Sequence, residues 1–100
     1  MKVFKFGGAS VKDAEGVKNI LSVLKTKEEK DLVVIVSAMG KMTNQLELLV
    51  DHYFTKPSHV GASIIQVYDF HYQISSDLFK NTSHPIFNLL KSIRMSFNSF

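Results

Sequence analysis

The sequence predicts an α/β fold in which parallel strands are flanked by helices, with a sheet that the residues present do not complete. Three observations carry this. Val3 to Phe6 is a short apolar run, interrupted by Lys5 and closed by Gly7-Gly8, the pattern of a strand ending in a tight turn. Leu32-Val33-Val34-Ile35-Val36 is unbroken and mostly β-branched, and a strand without polar alternation is expected to be covered on both faces, as in parallel sheets. Between the two, Val17, Ile20, Leu21 and Leu24 recur at helical spacing with charged residues opposite. Residues 1–37 therefore read as one strand–helix–strand unit, whose crossover is expected to be right-handed.

Taken in order, the first strand is followed by an amphipathic helix over 13–25, with Ser10 and Asp13 suited to a capping box at its start. A charged surface turn follows over 27–31. After the second strand, 37–42 forms a loop, and Thr43-Asn44 is placed to cap a helix over 44–53. Its apolar residues Leu46, Leu49, Val50 and Tyr53 share one face. Lys56-Pro57-Ser58 breaks the chain, and helices are predicted over 62–78 and 85–97. In the last of these Ile86, Leu89, Leu90, Ile93 and Phe97 share a face, with Ser83 as cap and Pro85 near the first turn. The chain thus divides into a strand–helix–strand–helix unit over 1–53, holding two loops of interest, and a mainly helical part over 54–100. Two parallel strands alone leave both sheet edges open and much apolar surface bare. Either a further strand hides in the second half, or the fold is completed by a partner; the second is the expectation.

Composition bounds the function. The 100 residues, 45% hydrophobic and 21% charged, suit one small globular domain and not a disordered chain. The net charge of +3 is mild, and lysines at 12, 18, 25, 27 and 30 are interleaved with acids at 13, 15, 28, 29 and 31. Interleaved signs make a solvated surface and not a nucleic-acid stripe. The absence of cysteine excludes disulfides and thiolate metal sites and suits a reducing cytoplasm. No apolar run is long enough for a signal peptide or a membrane span. His52, His59, His71 and His84 lack metal-ligand spacing. Asp69, His71 and Ser75 form no hydrolase triad, because no nucleophile elbow precedes the serine. Asn81-Thr82-Ser83 matches a glycosylation pattern but reads as a turn. The aromatic residues of the second half, including Phe70, Tyr72, Phe79, Phe87, Phe97 and Phe100, read as core packing or as a self-associating surface.

Two constellations can carry chemistry. In Lys5-Phe6-Gly7-Gly8-Ala9-Ser10 an ammonium lies near the carboxyl end of a strand expected to be buried, where a charge is costly unless it meets an anion. Two glycines then let backbone approach a ligand without a Cβ in the way, and Ser10 adds a hydroxyl at the mouth of a helix, whose amino end favours phosphate. Together they fit a phosphate cradle. They fit equally a surface lysine before an ordinary glycine turn, since neither a P-loop nor a dinucleotide fingerprint is present. The second constellation, 37–44 (Ser-Ala-Met-Gly-Lys-Met-Thr-Asn), follows the second strand directly. Ligands of open α/β sheets bind outside the carboxyl ends of the strands, and both loops fall at that edge. Taken alone, the second loop reads more readily as a plain connection with a Thr/Asn helix cap; two such loops at one edge are harder to dismiss.

KFGGAS at 5–10, followed by VVIVSAMGKMTNQL at 33–46, is similar to the opening of the aspartate kinases, a branch of the amino-acid kinase family. The resemblance runs through about Leu49 and fades afterwards; glutamate, carbamate and uridylate kinases share a similar first loop but not usually this second one. It implies ATP-dependent phosphorylation of the L-aspartate side-chain carboxylate to 4-phospho-L-aspartate, a cytoplasmic step toward lysine, threonine and methionine, with Mg²⁺ arriving on the nucleotide and a homo-oligomeric assembly. It also implies roles. Lys5 stabilises the transferring phosphoryl group, Gly7 and Gly8 offer backbone N–H groups, and Ser10 binds phosphate. Ser37 and Thr43 lie on the aspartate side. Ala9 stands where many relatives have threonine. The family's catalytic aspartate, its substrate-binding arginine and glutamate, its nucleotide pocket and its regulatory domains have no match in the sequence. The 100 residues by themselves are expected to show little or no turnover. The alternatives are a non-catalytic, self-associating module and a glutamate-type kinase, against which the 37–44 loop argues.

Overall fold

The computed structural model describes residues 1–27 and 30–98. Glu28 and Glu29 of the expected charged turn, and Phe100, lie outside the described residues, as does the side chain of Phe97. The elements in order are β1 (Lys2–Phe6), a 3₁₀ turn (Gly8–Val11), α1 (Ala14–Lys25), β2 (Leu32–Val36), α2 (Met42–Thr55), a second 3₁₀ turn (Pro57–His59), α3 (Val60–Leu78) and α4 (Pro85–Asn98). They form two compact units, Met1–Thr43 and Asn44–Phe100, the division falling in the first turn of α2.

In the first unit β1 and β2 pair in parallel, Lys2 with Leu32 through Phe6 with Val36. This is the α/β arrangement expected, with α1 as the crossover that parallel strands require. Strand alternation places Phe4 and Phe6 on one face of β1 and Val3 and Lys5 on the other. Phe6 lines a groove together with Ile20 and Val23 of α1, so α1 covers the phenylalanine face. Val11, Ala14 and Met42 are the buried apolar side chains of this unit.

The expectation that β2 is covered on both faces is not met. Val33, Val34, Ile35 and Val36 are 39–54% exposed. The reason is the number of layers: one helix serves two strands, and no second layer stands against the Lys5 face among the described residues of this unit. Lys5 is correspondingly exposed, so the burial argument for its charge does not apply.

Helix capping differs from expectation in the same unit. Ser10 sits in the 3₁₀ turn, its N–H donating to the Gly7 carbonyl at 3.0 Å. Asp13 alone caps α1, its Oδ1 accepting from the Gly16 N–H at 2.8 Å. Two residues of bend separate the 3₁₀ turn from α1, which puts Ser10 too early to reach the first turn of the helix. At the far end the Thr26 hydroxyl donates to the Val23 carbonyl at 2.7 Å.

The second unit is helical. α2 begins at Met42 and not at Asn44, so Thr43 and Asn44 lie within its first turn instead of capping it. His52 and Ser63 tie α2 to α3 through a 2.8 Å hydrogen bond between Nδ1 and Oγ, with Ser63 buried. α3 and α4 pack through Tyr72 against Phe87, ring centroids 5.5 Å apart, and through the Arg94 guanidinium 4.9 Å above the Tyr68 ring. The apolar face expected on α4 splits. Ile86 and Leu90 are half-buried, while Leu89 and Ile93 are exposed, because a single neighbouring helix covers only a narrow stripe. Leu46, Val50 and Tyr53 of α2 are likewise exposed. The turn before α4 is organised by Asn81, whose Oδ1 accepts from the Ser83 N–H at 2.9 Å. The cap falls to His84, whose Nδ1 accepts from the Ile86 N–H at 3.1 Å, and not to Ser83. Among the described residues no helix is long and apolar enough to cross a membrane, and no group of three or more metal-ligating side chains stands together.

Candidate functional site

All six candidate residues, Lys5, Gly7, Gly8, Ser10, Ser37 and Thr43, belong to the first unit. Parallel pairing carries the two strands to the same edge in register, and the ladder continues one step past them where the Ser37 N–H donates to the Phe6 carbonyl at 3.0 Å. Both loops therefore leave the sheet together at its carboxyl edge.

They are then joined directly. The Gly40 N–H donates to the Gly8 carbonyl at 3.0 Å. A Cβ on Gly8 would stand 2.6 Å from the Gly40 oxygen and 3.2 Å from the Ala38 oxygen, so only glycine allows this approach. Gly40 adopts φ 57°, the left-handed conformation that glycine reaches without penalty. This turns the chain back so that the Met42 N–H donates to the Met39 carbonyl at 3.0 Å as α2 begins. Gly7 is different. Its φ is −76° and a Cβ there would meet nothing within 4 Å among the described residues, so neither conformation nor their packing demands glycine.

Lys5 lies on the open sheet face, opposite Ile35, and its ammonium has no ion pair or hydrogen bond among the described residues. Ser10 is exposed in the 3₁₀ turn and borders a groove of about 420 Å³ shared with Phe6, Lys12, Glu15, Asn19 and Ile20. The amino end of α1 already receives the Asp13 carboxylate, so the anion-favouring end proposed beside Ser10 is occupied by the protein itself. Ser37 is half-buried, and Thr43 is exposed in the first turn of α2. No hydrogen bond joins the side chains of Lys5, Ser10, Ser37 and Thr43 to one another among the described residues. What the fold brings together is backbone: Gly8 against Ala38 and Gly40, and Phe6 against Ser37. The sequence signal for that contact was a glycine two residues past one strand and another four residues past its neighbour.

Similarity to known proteins points the same way. Plant and bacterial proteins match just under half of the chain. Aspartokinase 1, chloroplastic, of Arabidopsis thaliana is 48% identical over 46 residues, which are 46% of this chain and 8% of that protein. Aspartokinase 2, chloroplastic, of the same plant is 43% identical over 44 residues, again 8% of its length. The aspartokinase of Rickettsia conorii is 45% identical over 47 residues, 12% of its length. The matched stretches thus span about a tenth of these relatives. The model of the amino acid kinase family matches residues 1–88, and with the parallel strand–helix–strand unit and its two edge loops in place, the chain belongs to the amino acid kinase family.

Proposed function

We propose that the edge formed by the two loops is the phosphate-handling part of an aspartate kinase, an ATP-dependent enzyme that phosphorylates the side-chain carboxylate of L-aspartate to give 4-phospho-L-aspartate. The observation that carries this reading is the glycine lock, in which Gly40 bonds to Gly8 and holds the KFGG and SAMG segments side by side. Those segments are also the ones whose residues resemble the opening of the aspartate kinases, and the SAMG segment favours aspartate over glutamate as acceptor.

In this reading Lys5 supplies a point charge to the transferring phosphoryl group, and it is available because it has no partner among the described residues. Gly7, bare on its open side, lets the triphosphate approach the backbone. Ser10 gives a hydroxyl to a phosphate oxygen, while Ser37 and Thr43 contact the aspartate. Phosphoryl transfer runs mainly on positioning and charge neutralisation, so an ammonium and backbone donors suit it. Neither loop contains a carboxylate, so Mg²⁺ is expected to enter with the ATP phosphates and not on these residues.

Calorimetric titration of the chain with Mg·ATP tests the reading. Binding weakened about tenfold or more by Lys5→Ala supports it, the loss expected for a charge-assisted hydrogen bond. Absence of binding, or binding indifferent to Lys5, overturns it. A second reading, a self-associating module, is favoured by the exposure of Phe54 (76%) and Tyr53 (58%). Association that proceeds without any nucleotide binding would select it.

A further inference from the structure

We propose that Lys41 is a second cationic group of the same edge, holding an oxyanion of the substrate pair from the side of the second loop. The inference rests on reading that edge as a phosphate-handling site, and it begins from the placement of charge. Between Phe4 and Lys12 the first loop and its flanks contain lysines at 5 and 12 and no acidic residue; between Leu32 and Leu46 the second contains Lys41 and no acidic residue. The acid preceding β2, Asp31, lies at the opposite end of the strand, where its carbonyl accepts from the Lys2 N–H. Five strand residues separate it from the loops by about 16 Å. Asp13 is committed to the α1 cap.

The three lysines are not equivalent. Lys12 shares its groove with Asp13 and Glu15, which oppose its charge. Lys5 is fixed on the strand at its register with Ile35. Lys41 follows Gly40 directly, so its Cα lies about 3.8 Å from that of the residue whose N–H reaches Gly8. It is exposed and its ammonium has no ion pair or hydrogen bond among the described residues. The left-handed turn at Gly40 and the bond to Gly8 thus anchor the backbone that carries this cation next to Gly8. An edge with cations on both loops and no carboxylate in either concentrates anions. Two reactants that both carry negative charge, a polyphosphate and a dicarboxylate, meet there only if their repulsion is offset from both sides.

The test is titration of the full chain with two probes, magnesium tripolyphosphate and L-aspartate, at low and at physiological salt. Lys41→Gln is compared with Lys5→Ala, with the conservative Lys41→Arg and with Lys25→Gln. Lys25 lies at the far end of α1 and changes net charge equally. Lys41→Gln is expected to weaken binding about two- to fivefold, the size of an exposed ion pair. The loss should shrink at higher salt, be restored by Lys41→Arg, and be absent in Lys25→Gln. Loss with tripolyphosphate assigns Lys41 to the donor phosphates, and loss with L-aspartate assigns it to the acceptor. If Lys5→Ala abolishes binding while Lys41→Gln matches Lys25→Gln for both probes, this inference falls and the phosphate reading stands. If the unaltered chain binds neither probe, both fall.

Discussion

A methyl group on Gly8 would press to 2.6 Å from the Gly40 carbonyl oxygen, whereas one on Gly7 would stand in open space. Two adjacent glycines therefore do different work, and substitutions separate them. Gly8→Ala is expected to cost about 1–3 kcal/mol, the range of forced overpacking, read as a lower denaturant midpoint with unchanged slope. Gly7→Ala is expected to leave stability unchanged or raise it by up to about 1 kcal/mol through the unfolded state, while weakening Mg·ATP binding. Equal destabilisation by both would mean that the lock is not specific to Gly8. That glycines matter here was legible in the sequence. Which of them faces protein and which faces solvent was not, because it depends on the register that brings residue 40 beside residue 8.

Among the elements, those with a strong period were readable and their ends were not. The apolar spacing of Val17, Ile20 and Leu24 fixed α1, and the β-branched run fixed β2, because local preference and tertiary pairing agree there. The caps failed where several candidates stood close together. Ser10 and Asp13 both had suitable side chains, and only the intervening 3₁₀ turn decided for Asp13. α2 began two residues early because the left-handed Gly40 lets the chain turn into a helix at once. Asp13→Ala is accordingly expected to cost about 0.5–2 kcal/mol, with Ser10→Ala near neutral, as measured by chemical denaturation. The reverse order would restore Ser10 as the cap. Between α2 and α3, Ser63→Ala leaves a half-buried His52 nitrogen without its partner. A loss of about 1–3 kcal/mol is expected in the same measurement.

At the scale of the whole molecule, exposed apolar side chains dominate. Ile35 (47%) on β2 and Phe54 (76%) on α2 are exposed, and among the described residues both strands of the sheet have an open edge. The sequence showed that two strands leave such surface uncovered; it could not show how much, since burial depends on which layers stand against each face. Surface of this kind favours association. Light scattering with inline size exclusion is expected to give a mass above the 11.3 kDa of one chain, falling toward it in the Ile35→Glu, Phe54→Glu double variant. A monomer at every concentration would show that the bare surface is tolerated in solution.

Phosphate binding by the locked glycine edge is read by amide NMR at the atoms concerned. Titrating Mg·ATP into the ¹⁵N-labelled chain should shift the amides of Gly7, Gly8, Ser10 and Gly40 together along one saturable curve, with no comparable movement in α3 and α4. Silence at those four amides at millimolar nucleotide, or shifts confined to the helical unit, would contradict phosphate binding at this edge.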